Sequence, residues 1–185
     1  MRGYFGIGIE SVSKPLNLGS LLRSAHAFGA SFAFTIAASL PPRQVRHADT
    51  SDAEDSLPLM QFAGISEFML PAGCQLVGIE LIDDALDLPS FRHPRRAAYV
   101  LGAERASLSP PLLERCDFVC RIPTRFCLNV AVAGALVMYD RMLSLGRFAE
   151  RPVRVGGAVQ PPPAHIHGEP IWKAKQRRRL AQGNG

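Results

Sequence analysis

The pattern that most constrains the fold lies near the start of the chain, where two apolar runs flank a helical one. Residues 5–10 predict a short strand, and residues 31–37 predict a second strand because they are apolar and rich in aromatic side chains. Between them, Asn17 is expected to cap a helix that runs to Phe28 and stops at Gly29. A strand, a helix and a strand with tight joints are typical of a parallel βαβ unit, so an α/β fold is predicted.

The rest of the chain continues this alternation of strands and helices. Further strands are predicted at residues 65–70, 75–83, 97–102 and 117–123, helical turns at 110–115, and a surface loop with a short helix at 41–60. Residues 129–148 form the longest helical pattern. Its first half is small and apolar all round, which predicts burial and close packing against another helix or another subunit.

The composition changes near residue 150, and this change predicts two parts. The chain of 185 residues fits one folded domain, which we place at residues 1–149. Residues 150–185 are a Pro- and Gly-rich linker and a basic tail, in which Lys173, Lys175, Arg177, Arg178 and Arg179 cluster. The net charge of +5 is compatible with an anionic partner such as nucleic acid. The tail is either a solvated segment or a contact for phosphates.

Several classes of protein and site find no support in the sequence. No apolar run is long enough to cross a membrane, and Glu10 interrupts the first apolar run before a signal sequence forms, so we expect a cytoplasmic protein. The four cysteines form no CxxC pair and have no histidines at zinc spacing, so we expect free thiols and no metal site. Neither a GxGxxG fingerprint nor a GxxxxGK[ST] phosphate loop is present.

Three places in the strand–helix pattern have either a structural or a functional explanation. Arg23 lies in an otherwise apolar helix, and because burying an unpaired guanidinium is costly, it either reaches water or has a function. Gly102 ends an apolar strand and Glu104 follows it, which is either a plain strand-to-helix turn or a place where a ligand approaches the backbone closely. Asn129 opens the long helix either as a simple N-cap or as part of a ligand site.

Taken in order, these segments resemble the SpoU family of RNA ribose 2′-O-methyltransferases, within the SPOUT superfamily. The resemblance spans about residues 4–145 and rests on three motifs. The first comprises Asn17, Gly19, Arg23, Ala25, Phe28 and Gly29; the second comprises Leu101, Gly102, Ala103 and Glu104; the third comprises Ile122, Pro123, Leu128 and Asn129. Each motif alone is weak, but three in the right order and at the right intervals are specific.

The resemblance implies a fold and an activity that the residues alone do not indicate. The fold would be a mainly parallel sheet flanked by helices, with a deep trefoil knot in the C-terminal part. The cofactor would be S-adenosyl-L-methionine, the substrate tRNA or rRNA, and the assembly a homodimer that packs through the helices of the first and third motifs.

Site residues follow from the resemblance by position. Arg23 would act at the ribose 2′-hydroxyl or the neighbouring phosphate, Asn17 would support it, and Glu104 and Asn129 would line the site. Contacts to the cofactor, largely through backbone atoms, would come from Ile79, Gly102, Ile122, Cys127 and Leu128.

Two departures from the family pattern leave an alternative open. The family usually has a serine where this chain has Cys127, and the loop that begins at Ile122 is shorter than usual, with Phe126 beside the cysteine. A thiol is a weaker hydrogen-bonding group than a hydroxyl. The alternative is therefore a catalytically impaired RNA-binding protein of the same fold.

Overall fold

The chain forms an alternating series of strands and helices, which we describe from a computed structural model. The structure describes residues 3–40, 57–102, 107–146, 148–152, 154–157 and 159. It divides into two units, Met1–Gly146 and Arg147–Gly185. The described part of the first unit contains β1 (Tyr4–Glu10), α1 (Pro15–Ala27), β2 (Phe32–Ile36), β3 (Leu59–Phe62), β4 (Gln75–Ile79), β5 (Leu86–Asp87), β6 (Arg96–Leu101), α2 (Pro110–Arg115), β7 (Phe118–Arg121) and α3 (Val130–Leu145), together with a 3₁₀ turn at Leu88–Ser90.

The strands form one seven-stranded sheet in the order β3-β2-β1-β6-β4-β7-β5, and each neighbouring pair is parallel. In the register of the central strands, Leu101 of β6 is level with Ile9 of β1 on one side and with Ile79 of β4 on the other. Since parallel strands end at the same edge of a sheet, the loops after β1, β4, β6 and β7 emerge together. We call this the carboxyl edge.

Side chains alternate between the two faces of the sheet, and a hydrophobic core covers each face. Ile7, Ile9 and Tyr99 point to the face covered by α1 and α3. Ala98 and Val100 point to the opposite face, where Phe34, Phe68 and the α2 residue Leu112 pack. A sheet buried on both faces explains why the central strands read as continuous apolar runs.

Helices α1 and α3 pack closely on the first face because Gly134 has no side chain. A Cβ atom at Gly134 would overlap Leu21 of α1 and would lie 3.3 Å from Ile7 Cδ1 of β1. Leu21 and Ile7 are both fully buried, so neither can move aside without opening the core. The small residues of α3 therefore pack against another helix, α1. Packing against another helix was one of the two predictions for residues 129–148, and packing against another subunit was the other.

The opposite end of α3 is fixed by a buried polar cluster at the amino ends of the strands. Arg141 is only 5% exposed and donates to the carbonyl oxygens of Tyr4, Pro94 and Arg95. It also donates to the hydroxyl of Tyr99, whose own partner is His93 Nδ1 at 2.6 Å.

His93 links this cluster to Asp140, the residue that precedes Arg141 on α3. His93 Nε2 lies 2.9 Å from Asp140 Oδ2. Burial lowers the pKa of His93, while the hydrogen bond and the charge of Asp140 act in the opposite direction. Burial likewise raises the pKa of Tyr99 to about 12. A neutral His93 therefore donates from Nε2 to Asp140 and accepts the proton of Tyr99 at Nδ1, so each polar atom of the cluster has a partner.

The structure confirms the predicted βαβ unit and the mainly parallel α/β sheet. It corrects the start of the first helix, because α1 begins at Pro15 and Lys14 occupies the N-cap position without a side-chain cap. Proline is favoured in the first turn of a helix because it lacks the N–H that would be unpaired there. Asn17 therefore lies inside α1 and is no N-cap.

Other boundaries and one strand also differ from the expectation. Residues 65–70 form a turn and an irregular segment instead of a strand, and the buried Phe68 enters the core from that segment. The strand in this region is β3. β4 ends at Ile79 instead of continuing to residue 83, and α3 ends at Leu145, before residue 148. The predicted loop at 41–60 lies largely outside the described residues, and its last two residues belong to β3.

Burial of the first half of α3 is confirmed on one side only. Val130, Ala131 and Gly134 are buried, but another side of the helix remains exposed. We call this side the α3 apolar face; it consists of Val132, Leu136, Tyr139 and Met142, which are between 38% and 50% exposed. Their spacing of three and four residues places them along one stripe of the helix. In the described residues, no helix is both long and apolar enough to span a membrane.

Candidate active site

Three of the predicted cofactor-binding residues lie together at the carboxyl edge. Ile79 is the last residue of β4, Gly102 follows β6, and Ile122 follows β7. These strands are neighbours in the sheet, and Ile79 is level with both Leu101 and Cys120. The backbone at the ends of adjacent parallel strands lines a crevice, which is where open α/β sheets bind ligands.

Two predicted catalytic residues are in direct contact although 112 positions separate them in the chain. Asn129 Nδ2 donates to Asn17 Oδ1 at 3.1 Å. Asn129 also caps α3, because its Oδ1 accepts from the backbone N–H groups of Ala131 and Val132 at 3.0 and 3.4 Å. Asn129 is therefore an N-cap that also joins α3 to Asn17 of α1, and its place in a ligand site stays a prediction.

Arg23 lies on the exposed side of α1. It follows Asn17 by six residues, which corresponds to about 9 Å along the helix axis. Side chains of a helix tilt towards its N-terminus, and the N-terminus of α1 is at the carboxyl edge, so we expect the long side chain of Arg23 to lean towards that edge. Arg23 is therefore not buried in the apolar core, and its functional role stays a prediction.

The loop between β7 and α3 is held by short-range hydrogen bonds. Thr124 Oγ1 donates to the carbonyl oxygens of Phe126 at 2.9 Å and of Ile122 at 3.3 Å. The ring of Phe126 is 74% exposed at the tip of this loop. Cys127 is exposed and Leu128 is half-buried, and both precede Asn129 in the chain. The loop therefore exposes a thiol and an aromatic ring to solvent shortly before α3 begins.

Two glutamates at the carboxyl edge form contacts that the sequence interpretation missed. Glu10, the last residue of β1, accepts from Ser109 through both oxygens: from the backbone N–H at 2.8 Å and from the hydroxyl at 2.5 Å. Glu80, which follows β4, accepts from the backbone N–H of Leu108 at 2.7 Å. The feature of the sequence that could have indicated these contacts is an acidic residue at the end of each of two buried strands.

The remaining predicted site residues lie outside the described residues. Glu104 is one of them, and the basic residues of the tail are the others: Lys173, Lys175, Arg177, Arg178 and Arg179. Their roles stay predictions.

With the geometry established, the comparison with known proteins decides the family. Residues 5–139, almost three quarters of the chain, match the SpoU rRNA Methylase family. The chain belongs to the SpoU rRNA Methylase family. The matched range includes β1 through most of α3, and with them every described residue of the candidate site.

Characterised relatives of this SpoU chain are named as 2′-O-methyltransferases. Over 140 residues it is 32% identical to the tRNA (guanosine(18)-2'-O)-methyltransferase TARBP1 of Mus musculus, covering 70% of this chain and 9% of that protein. Over 145 residues it is 30% identical to the 23S rRNA (guanosine-2'-O-)-methyltransferase RlmB of Coxiella burnetii, covering 71% of this chain and 55% of that protein. This SpoU chain thus spans about half of one relative and a small part of the other.

A solved structure agrees with the sheet and helices of this SpoU chain. The SpoU methyltransferase AviRb from Streptomyces viridochromogenes, in complex with the cofactor AdoMet, is similar with a TM-score of 0.67 and 26% identity. The match covers 79% of this chain and 63% of AviRb. The mainly parallel sheet with flanking helices is therefore the architecture of a SpoU methyltransferase.

Proposed function

We propose that this protein is an S-adenosyl-L-methionine-dependent RNA ribose 2′-O-methyltransferase. The observation that carries the proposal is the hydrogen bond between Asn17 and Asn129 at the carboxyl edge. Asn17 lies on α1, the helix that also bears the exposed Arg23. Family membership supports it, because relatives over this same region are named as 2′-O-methyltransferases.

The carboxyl edge suits the binding of S-adenosyl-L-methionine. Ile79, Gly102 and Ile122 come from the ends of adjacent strands, and Gly102 leaves its backbone open to close approach. With Cys127 and Leu128 on the β7–α3 loop, these residues would hold the cofactor mainly through backbone atoms. When bound there, the cofactor supplies an electrophilic methyl group on a sulfonium. Thr124 keeps the loop in shape through its bonds to Ile122 and Phe126.

The reaction requires stabilisation of an oxyanion at a sugar hydroxyl. A ribose hydroxyl is a poor nucleophile near neutral pH, so its proton would pass to water and the remaining charge must be stabilised. The C–O bond to the methyl group would form as the C–S bond breaks, and S-adenosyl-L-homocysteine would leave. An arginine side chain stays protonated in proteins and is a weak base. Arg23 therefore acts by electrostatic stabilisation of the 2′-oxygen and by holding the adjacent phosphate. Asn17 and Asn129 orient each other, and through this contact they orient the ribose beside α1.

The substrate class that fits this site is tRNA or rRNA. One relative is named for a tRNA guanosine and another for a 23S rRNA guanosine, so the names agree on a ribose 2′-hydroxyl and differ on the RNA. The net charge of +5 suits a polyanionic partner. Phosphate contacts by the basic tail and a cytoplasmic location belong to the same proposal.

The α3 apolar face supports a homodimer. Its four side chains, Val132, Leu136, Tyr139 and Met142, are partly exposed along one stripe of a helix that begins at the site. An exposed stripe of this kind is typical of an interface. A second copy that covers it would place two sites near one another. The deep trefoil knot of the family's C-terminal part is likewise proposed for this chain.

The alternative function is RNA binding without turnover. The observation that favours it is the β7–α3 loop, in which the exposed Cys127 occupies the place of the usual serine and Phe126 lies beside it. Calorimetric titration with S-adenosyl-L-methionine separates the two functions. The enzyme binds the cofactor, and a protein that only binds RNA gives no heat of binding.

The proposed activity is tested by transfer of a labelled methyl group from S-adenosyl-L-methionine to bulk tRNA and rRNA. The purified wild-type protein is expected to label RNA at ribose, and Arg23→Ala is expected to label it far more slowly. His26→Ala, a substitution at another exposed position of α1, is the matched control. Equal labelling by wild type and Arg23→Ala would remove Arg23 from the mechanism, and no labelling by wild type would favour the alternative.

A further inference from the structure

We propose that Glu10 is a positioning residue for methyl transfer, which aligns the acceptor side of the site with the cofactor side through Ser109. This inference rests on the proposed function and adds to it a residue that none of the three motifs contains. Glu10 ends β1, five residues before α1 begins with Pro15. Ser109 lies seven residues after Gly102 on the segment that follows β6.

The contact between Glu10 and Ser109 fixes an orientation as well as a distance. Both donors of Ser109, its N–H and its hydroxyl, meet the two oxygens of a single carboxylate at 2.8 and 2.5 Å. A two-point contact of this kind prevents rotation of the residue that it holds. The Ser109 hydroxyl is used entirely in this way, because Ser109 precedes α2 at the N-cap position and makes no side-chain cap.

Stability alone is a poor explanation for this contact. Glu10 is 5% exposed, so its carboxylate has lost most of its contact with water. Desolvation of a carboxylate is costly, and two hydrogen bonds recover only part of that cost. What the contact secures is the position of Ser109 relative to the end of β1. Because α1 starts directly after this end, the contact joins the helix of Asn17 and Arg23 to the segment after Gly102.

Glu80 provides a second fixed point from the other neighbour of β6. Its carboxylate accepts from the N–H of Leu108, the residue before Ser109. The side chain of Leu108 is buried and packs over β4, where a Cβ at Gly78 would lie 3.1 Å from Leu108 Cδ1. Carboxylates at the ends of β1 and β4, the two strands that flank β6, therefore hold two consecutive residues of the segment that follows β6.

Methyl transfer is sensitive to such alignment. The acceptor oxygen must be in line with the donor, and a misplacement of about 1 Å reduces the rate roughly a hundredfold. Asn17–Asn129 aligns α1 with the loop that follows β7. Glu10–Ser109 gives the corresponding alignment between β1 and the segment that follows β6, and no other side-chain contact described above does so.

The test compares Glu10→Ala with Asp117→Ala in the full chain. Asp117 is the matched control because its carboxylate also accepts from a backbone N–H, that of Leu76 at 2.7 Å, but at the amino end of β4. Single-turnover ribose methylation is measured at saturating RNA and S-adenosyl-L-methionine, together with cofactor affinity by calorimetry, well below both melting temperatures. Glu10→Ala is expected to slow the single-turnover rate about tenfold or more, and Asp117→Ala is expected to stay within about twofold.

Two further variants keep the test decisive. Glu10→Gln retains an oxygen that accepts from the Ser109 N–H, so it is expected to recover most of the rate. Ser109→Ala removes only the hydroxyl bond and serves if Glu10→Ala does not fold; it is expected to slow the rate about threefold. Unchanged rates in Glu10→Ala or Ser109→Ala, or equal losses in Asp117→Ala, would overturn the inference. An inactive wild type that does not bind the cofactor would overturn both the proposed function and this inference.

Discussion

Polar side chains form hydrogen bonds at both ends of α3, but those at one end are accessible to solvent and those at the other are buried. At its N-terminus, Asn129 caps the helix and donates to Asn17 at a place where both side chains remain accessible to water. At its C-terminal half, Arg141 and Asp140 bind Tyr99 and His93 inside the protein. One end keeps polar groups near solvent, where a substrate can reach them, and the other removes them from solvent.

The difference separates groups available for chemistry from groups committed to structure. The buried end has several donors and acceptors that pair with one another, and an incoming ligand would find none of them free. At the accessible end, the asparagine pair lies near solvent, and Arg23 is exposed on the same helix as Asn17. Substitutions at the buried end should therefore change stability, and substitutions at the accessible end should change turnover.

The largest expected effect is loss of stability at the buried end. Arg141→Ala removes the donor to three carbonyl oxygens and to the Tyr99 hydroxyl, so the free energy of unfolding should fall by about 3–5 kcal/mol. Arg115→Ala is the control, because Arg115 donates to two carbonyl oxygens, those of Ile65 and Phe68, from an exposed position. Denaturant unfolding should show a loss of about 1 kcal/mol for the control. Equal losses for the two variants would contradict the assignment of Arg141 to a buried cluster.

At the accessible end, Arg23→Ala should have the reverse effect. Its rate of ribose methylation should fall about a hundredfold, because one electrostatic contact to the developing oxyanion is lost. Its free energy of unfolding should stay within about 0.5 kcal/mol of the wild type, as for most exposed positions. Methylation kinetics and denaturant unfolding on the same preparation measure both quantities. A strongly destabilised Arg23→Ala would show that Arg23 belongs with the buried group.

The buried end should also make stability depend on pH. Burial lowers the pKa of His93 in the folded state, so the unfolded chain binds a proton more readily. Stability from neutral His93 is therefore fully present above the unfolded pKa of about 6.5 and is lost as pH falls towards the folded pKa, at no more than about 1.4 kcal/mol per pH unit. Unfolding measured between pH 7 and pH 5 should show a smaller slope in His93→Gln than in wild type. Identical slopes would exclude His93 as the source.

Asn129 connects the two behaviours, because it caps α3 and also contacts Asn17. Asn129→Ala removes the N-cap, at a cost of about 1 kcal/mol, and also removes the contact to Asn17. Asn17→Ala removes only that contact, so it should lower the methylation rate with little loss of stability. Thermal melts and methylation rates of both variants separate capping from catalysis. A rate unchanged in Asn17→Ala would limit Asn129 to its structural role.

The sequence predicted those features that depend on local patterns. Continuous apolar runs identified β1, β2 and β6 to within about a residue, and Asn129 before an apolar helix identified the cap of α3. The run at 65–70 misled because apolar residues such as Phe68 also enter a core from irregular segments. The prediction of Asn17 as the N-cap was wrong because the helix already begins at Pro15, two residues earlier.

Contacts across the sheet were not predictable in the same way. The Asn17–Asn129 bond joins residues 112 positions apart, and the Glu10–Ser109 bond joins residues 99 apart. The cluster of His93, Tyr99 and Arg141 depends on the register between β6 and α3, which no local pattern encodes. An acidic residue at the end of a buried strand was the one readable sign of Glu10, and it gains meaning only when the topology makes β1 and β6 neighbours.

The central claim is that the accessible end of α3 carries out ribose methylation. It is tested most directly by mapping 2′-O-methyl groups across total RNA from cells with the protein, without it, and with Arg23→Ala in its place. The account predicts a ribose position in tRNA or rRNA that is methylated with the wild type, unmethylated without the protein, and nearly unmethylated with Arg23→Ala. An identical methylation map in all three cells would contradict it.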